Sequence, residues 1–253
     1  EEMKEVKHSL GIKMFRIMDD SFLWHSKEWL SDFSKQYKRF IDLPISCLSN
    51  TANLSEEKLR LLVDSGLEHI QLGVQSGSDR VNREIYGRDV PSERTLAICA
   101  MIKALPVPLK VTLDLIFDSP FESDEDRIET IRFLAKVNRI GISYHLGKFS
   151  LRFYPGTALY EKALHAGFLN CHNKQDSYER SFQYVKNTFL NNVCCDVCTF
   201  RLSEAALAFL LKHKFLYMSV RFLVHMPAGL LACVVRTGKR FFLDRRVSTV
   251  KRV

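Results

Sequence analysis

The sequence predicts an α/β fold of parallel strands joined by crossover helices, followed by a small C-terminal helical region. Three observations carry this. From residue 1 to about residue 167, short apolar runs alternate with longer stretches at helical spacing. The ends of the apolar runs hold glycine, serine, glutamine and acidic residues rather than further apolar ones. After Phe168 the character changes: residues 170–192 are polar and turn-rich, and residues 202–235 are strongly apolar at helical spacing. Strands and helices alternating at these lengths imply parallel pairing with crossovers. The expected division is therefore residues 1–169 for the α/β domain and 170–253 for a helical appendage with a basic tail.

The elements follow in order. Residues 1–7 read as the middle of an amphipathic helix with no cap before it, so the chain is expected to begin inside a larger protein. Residues 14–18 read as a strand, 24–40 as a helix and 44–48 as a second strand. Ser55-Glu56-Glu57-Lys58 opens a helix and is read as a capping box, and Ser65-Gly66 closes it. A strand at 68–74 runs into a glycine-rich turn, a short helix and a Gly-Arg corner. A helix at 91–104, a strand at 109–117 and a helix at 123–137 come next, the last with acidic residues in its first turn, as the helix dipole favours. Residues 144–153 form a further strand.

Composition narrows the class. The chain has 253 residues, 46% hydrophobic and 26% charged, which suits one large domain with a small appendage. A net charge of +8 is compatible with a polyanion or an anionic membrane surface, but such an excess is more often a solvated face, and nucleic acid is not an expected partner. The basic stretch 239–253 falls under the same reading. The longest charge-free run near the C-terminus, 226–235, contains Pro227 and Gly229 and is about half the roughly twenty residues of a membrane span.

The seven cysteines, at 47, 99, 171, 194, 195, 198 and 233, are odd in number and irregularly spaced. They do not form a disulfide framework, and a reducing cytoplasm is the expected location. Cys195 and Cys198 have zinc-ligand spacing but no second pair, so no metal is assigned. His25, His69, His145 and His165 show no ligand arrangement.

In α/β folds of this kind ligands collect at the carboxyl ends of the strands, and four such stations stand out. Asp19 and Asp20 are adjacent carboxylates, which repel unless a cation or donors satisfy them. They read either as a receptor for an ammonium or hydroxyl group or, through Asp20 or Ser21, as a helix cap. Gln75, Ser76 and Ser78 offer neutral hydrogen-bonding groups beside Gly73 and Gly77, whose bare backbone lets a ligand come close. Arg88, after Gly87, can grip a carboxylate with a bidentate fork. Ile116 can press on a flat heterocycle, and Glu122 can cap the helix after it. Phe153 and Tyr154 form an aromatic pair at a Pro155-Gly156 turn.

Taken together, the stations resemble the radical S-adenosylmethionine (SAM) superfamily, especially its cobalamin-binding subgroup. Asp19, Asp20 and Phe22 are similar to that subgroup's DD-x-F element, Gly73 to Ser78 to its G-[IV]-[EQ]-S-G-S strand, and Tyr86-Gly87-Arg88 to its basic corner. Residues 116–122 resemble the I-x-G-x-P-x-E segment, and residues 154–157 the PGT turn. The ordered set covers roughly residues 1–169.

The resemblance implies a partial (β/α)6 barrel whose first strand and cluster loop precede this chain. It implies SAM held on a [4Fe-4S] cluster, and reductive cleavage to a 5′-deoxyadenosyl radical that abstracts hydrogen from a small-molecule or peptide substrate. A reductant such as flavodoxin or ferredoxin is implied as partner, with cobalamin as a further cofactor of the subgroup. Asp19 or Asp20 would lie near the SAM amino group, Gln75 and Ser76 would face ribose or methionine, and Arg88 would meet the carboxylate. Ile116, Phe153 and Tyr154 would border the adenine.

Two departures from the pattern are visible. The C-x3-C-x2-C triplet occurs nowhere in the chain, since Cys194 and Cys198 would need a third cysteine where Arg201 stands. The cluster ligands are therefore expected outside these residues. Asp118 and Phe121 also stand where glycines are usual. The leading expectation is the SAM-binding portion of a radical SAM enzyme, acting by methylation or rearrangement at an unactivated carbon. The alternatives are a degenerate, non-catalytic barrel serving as a binding or scaffold module, and an unrelated α/β-barrel enzyme using Asp19, Asp20 and Glu122 as acid–base groups.

Overall fold

The computed structural model describes residues 2–169 and 185–224. The expectations placed on Cys171, Cys233, the apolar run 226–235 and the basic stretch 239–253 lie outside the described residues. Five strands run in the order β1 (Phe15–Ile17), β2 (Ile45–Asn50), β3 (Leu67–Gln75), β4 (Lys110–Phe117) and β5 (Tyr144–Ser150). Each is parallel to the next, and spatial order equals sequence order. Because parallel crossovers are right-handed, a monotonic order places every connecting helix on one face of the sheet. The opposite, inner face is left open. The expected α/β architecture of parallel strands is present.

The helices are α1 (Glu2–Leu10), α2 (Lys27–Phe40), α3 (Glu56–Asp64), α4 (Asp79–Glu84), α5 (Ser92–Lys103), α6 (Asp124–Ile140), α7 (Ala158–His165) and α8 (Phe189–Thr199), of which α2 to α6 connect strands and lie on the outer face. The helix expected from residue 24 starts later. Phe22–Trp24 forms a separate 3-10 turn, and Ser26 accepts the Trp29 N–H to open α2. Ser55 caps α3 by accepting the Lys58 N–H, but the residue three on is a lysine, so no side chain returns the bond. A complete capping box forms instead at Ser123 and Asp126, at the start of α6.

Strand alternation shows where the core sits. Ile70, Leu72 and Val74 of β3 and Val111, Leu113, Leu115 and Phe117 of β4 are buried against the helices, with Leu59, Leu62, Ile98 and Ile131 across from them. The residues between them on each strand, Gln71, Gly73 and Gln75 or Thr112, Asp114 and Ile116, face inward and are only partly covered. A closed barrel would fill that side with branched aliphatics. Here it is polar, which leaves room for a ligand.

The chain divides into two compact units, Glu1–Leu207 and Ala208–Val253. In the first unit α8 starts at the end of the stretch expected to be polar and turn-rich and packs on α6, with Asn138 donating to the carbonyls of Val197 and Leu202. The apolar C-terminal pattern resolves into α9 (Glu204–Lys212), where the division falls, and α10 (Lys214–Val224). Within the second unit Arg221 donates to the Tyr217 hydroxyl at 3.3 Å. No helix among the described residues is long and apolar enough to cross a membrane.

Candidate ligand site at the strand ends

A cavity of about 580 Å³ opens at the carboxyl ends of β1 to β4. Its walls bring together Asp19, Asp20, Gln75 and Arg88 from the expected set, joined by Trp24, His25, Asn50, Gln71, Gly73 and Asp114. The two aspartates follow β1. Neither caps a helix, because Ser26 serves α2 and the Ser21 hydroxyl instead accepts from Asn53 Nδ2 at 3.2 Å. Asp19 and Asp20 are thus free to face the cavity, with Asp19 3.8 Å from His25 Nε2.

Gln75 closes β3 with φ of 63°, the left-handed region, at a register shift between Gly73 and Gln75. Such a conformation is costly for a residue with a side chain and is held by its surroundings. Gly73 makes it possible, since a Cβ there would lie 2.8 Å from Gln75 Nε2 and 3.5 Å from Arg88 Nη1. The bare backbone at Gly73 thus admits the neighbouring side chains, while Gln75 Oε1 remains buried without a hydrogen-bond donor among the described residues. Gly77 serves packing rather than ligand approach. A Cβ there would meet Thr130 Cα and Phe133 Cβ of α6 at 2.7 Å.

Arg88 lines both this cavity and a smaller chamber of about 290 Å³ behind it, which Asn82 and Thr95 also border. Burial lowers the pKa of its guanidinium, and no described carboxylate pairs with it. A half-buried cation without a counter-ion is a place for an anion.

Asp114 carries a further vacancy in its hydrogen bonding. Its Oδ2 accepts from Gln71 Nε2 at 2.7 Å, and Gln71 Oε1 in turn accepts from Arg16 Nη2 at 2.8 Å. Asp114 Oδ1 is buried with no donor among the described residues. Burial raises the carboxyl pKa, against the Gln71 hydrogen bond and the Arg16 charge. The sequence expectations gave Asp114 no role. Its signal was two positions from Ile116, on the same strand face.

The other expected site residues lie elsewhere. Ser76 is 1% exposed and faces α6, 3.0 Å from Thr130 Oγ1 and 3.5 Å from Glu122 Oε1. It anchors the turn and does not line the cavity. Ser78 does the same by donating to Asp126 Oδ1 at 2.9 Å. Glu122 does not cap α6, because Ser123 takes that place; burial pushes its carboxyl up to about 7. Ile116 shares the face of Asp114 but pairs with Phe149, beyond the cavity wall. Phe153 and Tyr154 are not part of that wall either. Phe153 meets Phe121 edge-on at 6.3 Å, Phe121 meets Phe168 at 5.3 Å, and Tyr154 is half exposed. Phe121, where a glycine was expected, is thus the centre of an aromatic cluster.

Asp118, the other departure, adopts φ of 66°. It keeps the left-handed turn that glycine makes freely and adds a clamp. Ser150 Oγ and the Lys186 N–H donate to Oδ2, and Asn191 Nδ2 donates to Oδ1, tying α8 to the end of β4.

No group of three or more His, Cys, Asp or Glu among the described residues could hold a metal ion. Cys47, Cys99 and Cys194 are buried in the core, and burial pushes the Cys47 and Cys99 thiols up to about 12. These residues do not fit an iron–sulfur cluster. The cavity does fit a zwitterionic, hydroxyl-bearing ligand, with two aspartates for a cation, Arg88 for a carboxylate, and the unpaired Gln75 and Asp114 oxygens for N–H or O–H donors.

A sequence profile described as the Radical SAM superfamily matches residues 1–134. Among solved structures the fold is similar to the radical SAM methyltransferase TsrM from Kitasatospora setae, with cobalamin and a [4Fe-4S] cluster bound: TM-score 0.54, 16% identity, over 65% of this chain and 32% of that one. It is similar to coproporphyrinogen III oxidase HemN from Escherichia coli, a radical SAM enzyme, at TM-score 0.54 and 18% identity, over 76% of this chain and 44% of that one. It is also similar to the archaeal Methanocaldococcus infernus Elp3 at TM-score 0.50 and 14% identity, over 79% and 58%. At these identities the likeness is one of fold. The chain spans less than two thirds of each of these proteins.

Proposed function

The chain belongs to the radical SAM superfamily, and from that premise we propose that it is the SAM-binding portion of a radical SAM iron–sulfur enzyme. The observation that carries the reading is the pair of buried, unpaired oxygens, Gln75 Oε1 and Asp114 Oδ1, facing one cavity with an uncompensated Arg88. Buried acceptors left without donors each cost about 1–3 kcal/mol, so a ligand that supplies donors recovers that cost.

In this reading Arg88 holds the methionine carboxylate. Asp19 and Asp20 face the amino group. Gln75 and Asp114 accept from ribose hydroxyls or the amino group. Gln71, oriented by Arg16, fixes Asp114. When bound together with a reduced cluster, SAM supplies the radical chemistry of the superfamily. The cluster ligands lie outside these residues, and no step is assigned to any cysteine here. Cobalamin, a methylation or rearrangement at an unactivated carbon and an external reductant follow from the motif resemblance, and a cytoplasmic location follows from the irregular cysteine spacing.

A barrel that binds or scaffolds without catalysis is the second reading, favoured by the absence of any cysteine from the cavity wall. The two part on SAM itself. Equilibrium dialysis with labelled SAM is expected to show saturable binding to this chain, while anaerobic iron–sulfur reconstitution of the chain alone is expected to give no 5′-deoxyadenosine. Absence of SAM binding would favour the scaffold. Turnover by the chain alone would refute the placement of the cluster ligands.

A further inference from the structure

Below the cavity the inner face does not turn apolar. In the strand register Arg16 pairs with Ser46, Ser46 with His69, His69 with Lys110, and Thr112 with His145. The His69 ring is fixed at both nitrogens, with Nδ1 2.8 Å from Ser46 Oγ and Nε2 2.9 Å from Thr112 Oγ1. Ser46 is 4% exposed, whereas Arg16, Lys110 and His145 are open to solvent on the inner face. Burial and then Arg16, Lys110 and His145 depress the pKa of His69, and no carboxylate is among these influences. Arg16 spends its Nη2 donor on the neutral Gln71. Lys110 has only Glu68, 3.9 Å away at the rim.

Arg16, Lys110 and His145 gather around the His69 ring with Glu68 beside Lys110 and Asp114 within reach of the Arg16 charge, so basic groups outnumber acids there and an anion among them offsets the excess. Where Nε2–H donates to Thr112, the Thr112 hydroxyl proton is left to point into the open face, adding a neutral donor to the cations. Several separate donors around one spot suit a group with three acceptor oxygens better than a single carboxylate.

We propose that this floor, made by Arg16, Lys110, Thr112 and His145 around the fixed His69 ring, is a subsite for a phosphate group on the substrate, which lies along the inner face with its reacting carbon in the cavity. The inference rests on the reading of that cavity as the SAM site. At the rise of a β-strand, Thr112 stands roughly 7 Å and Lys110 roughly 13 Å from Asp114. The substrate is therefore an elongated phosphate monoester whose reacting atom lies about that far from its phosphate. The charge is on the inner face of the sheet, which suits a small molecule better than a nucleic-acid backbone, for which an outer surface would be needed.

The test titrates the chain with inorganic phosphate, glycerol 3-phosphate and a short single-stranded RNA, following the histidine ring signals by NMR and affinity by calorimetry. Lys110→Gln and His145→Gln, both at exposed positions, are compared with the parent. Saturable binding of both phosphates is expected, with shifts of the His69 and His145 signals and up to about five-fold weaker binding in each variant. SAM affinity is expected to be unchanged in both.

Absence of saturable binding, or phosphate affinity equal to the parent's in both variants, would overturn the subsite. RNA binding that exceeds that of glycerol 3-phosphate and is lost in the variants would overturn the small-molecule assignment. Loss of SAM binding with phosphate binding intact would sink the cavity's assignment and uphold the anion site. Intact SAM binding without phosphate binding would remove the subsite alone.

Discussion

Gly147 makes room for Asp114. A Cβ at position 147 would collide with Asp114 Oδ1, so the bare backbone of β5 is what lets the carboxylate stand in the cavity wall beside Gln71. The pairing of these two residues in register sets the depth of the site. Gly147→Ala is therefore expected to push Asp114 off Gln71. Overpacking of this kind costs about 1–3 kcal/mol of stability, readable by urea denaturation, and SAM affinity is expected to fall with it. An alanine variant as stable as the parent, with SAM affinity unchanged, would show that Asp114 does not occupy this position.

Asp118 gives a second test, because its strain and its bonds can be separated. Asp118→Gly relieves the left-handed backbone but gives up the contacts to Ser150, Lys186 and Asn191. Asp118→Ala gives up the same contacts and keeps the strain. The alanine variant is expected to be the less stable of the two by about 1 kcal/mol, the usual penalty for a non-glycine residue in that region. Hydrogen exchange is expected to quicken in α8 in both. Equal stabilities, or unchanged exchange in α8, would argue against the clamp.

Glu122 predicts a pH dependence. Burial holds its carboxyl at about 7, above the ordinary 4.5. Below about pH 4.5 both folded and unfolded chains carry the proton. Between there and about 7 the unfolded chain releases it while the folded chain keeps it, so this group's contribution falls as pH rises. Glu122→Gln is expected to match the parent near pH 4.5 and to exceed it at pH 8, by on the order of 3 kcal/mol. Parallel pH profiles for the two proteins would contradict the assignment.

Much of this was legible in the sequence. The strands, the parallel order and the stations at their ends follow from apolar spacing and glycine placement, and Asp19, Asp20, Gln75 and Arg88 do share one cavity. What was not legible is which way each strand-end side chain turns. Ser76 and Gln75 are neighbours, yet the left-handed turn at Gln75 sends one to the cavity and the other under α6. Asp114 stands inside β4, two residues before Ile116 on the inner face, where strand alternation and not a strand-end motif marks it. Phe153 and Tyr154 lie apart from the cavity wall, and nothing local reveals that Phe153 packs edge-on against Phe121. The helix α8 falls mostly between the stretch read as polar, 170–192, and the apolar run from 202, and its position is set by the side chains of Asp118 and Asn138.

The most direct test of the SAM site is a calorimetric titration of SAM into the parent chain, Arg88→Ala and Asp114→Asn. Removing a charged hydrogen-bonding partner costs about 1.5–3 kcal/mol, roughly ten- to a hundred-fold in affinity. The account predicts saturable binding to the parent, with a loss of that size in Arg88→Ala and a smaller loss in Asp114→Asn, which keeps one acceptor. Affinity for SAM that is the same in all three proteins would contradict it.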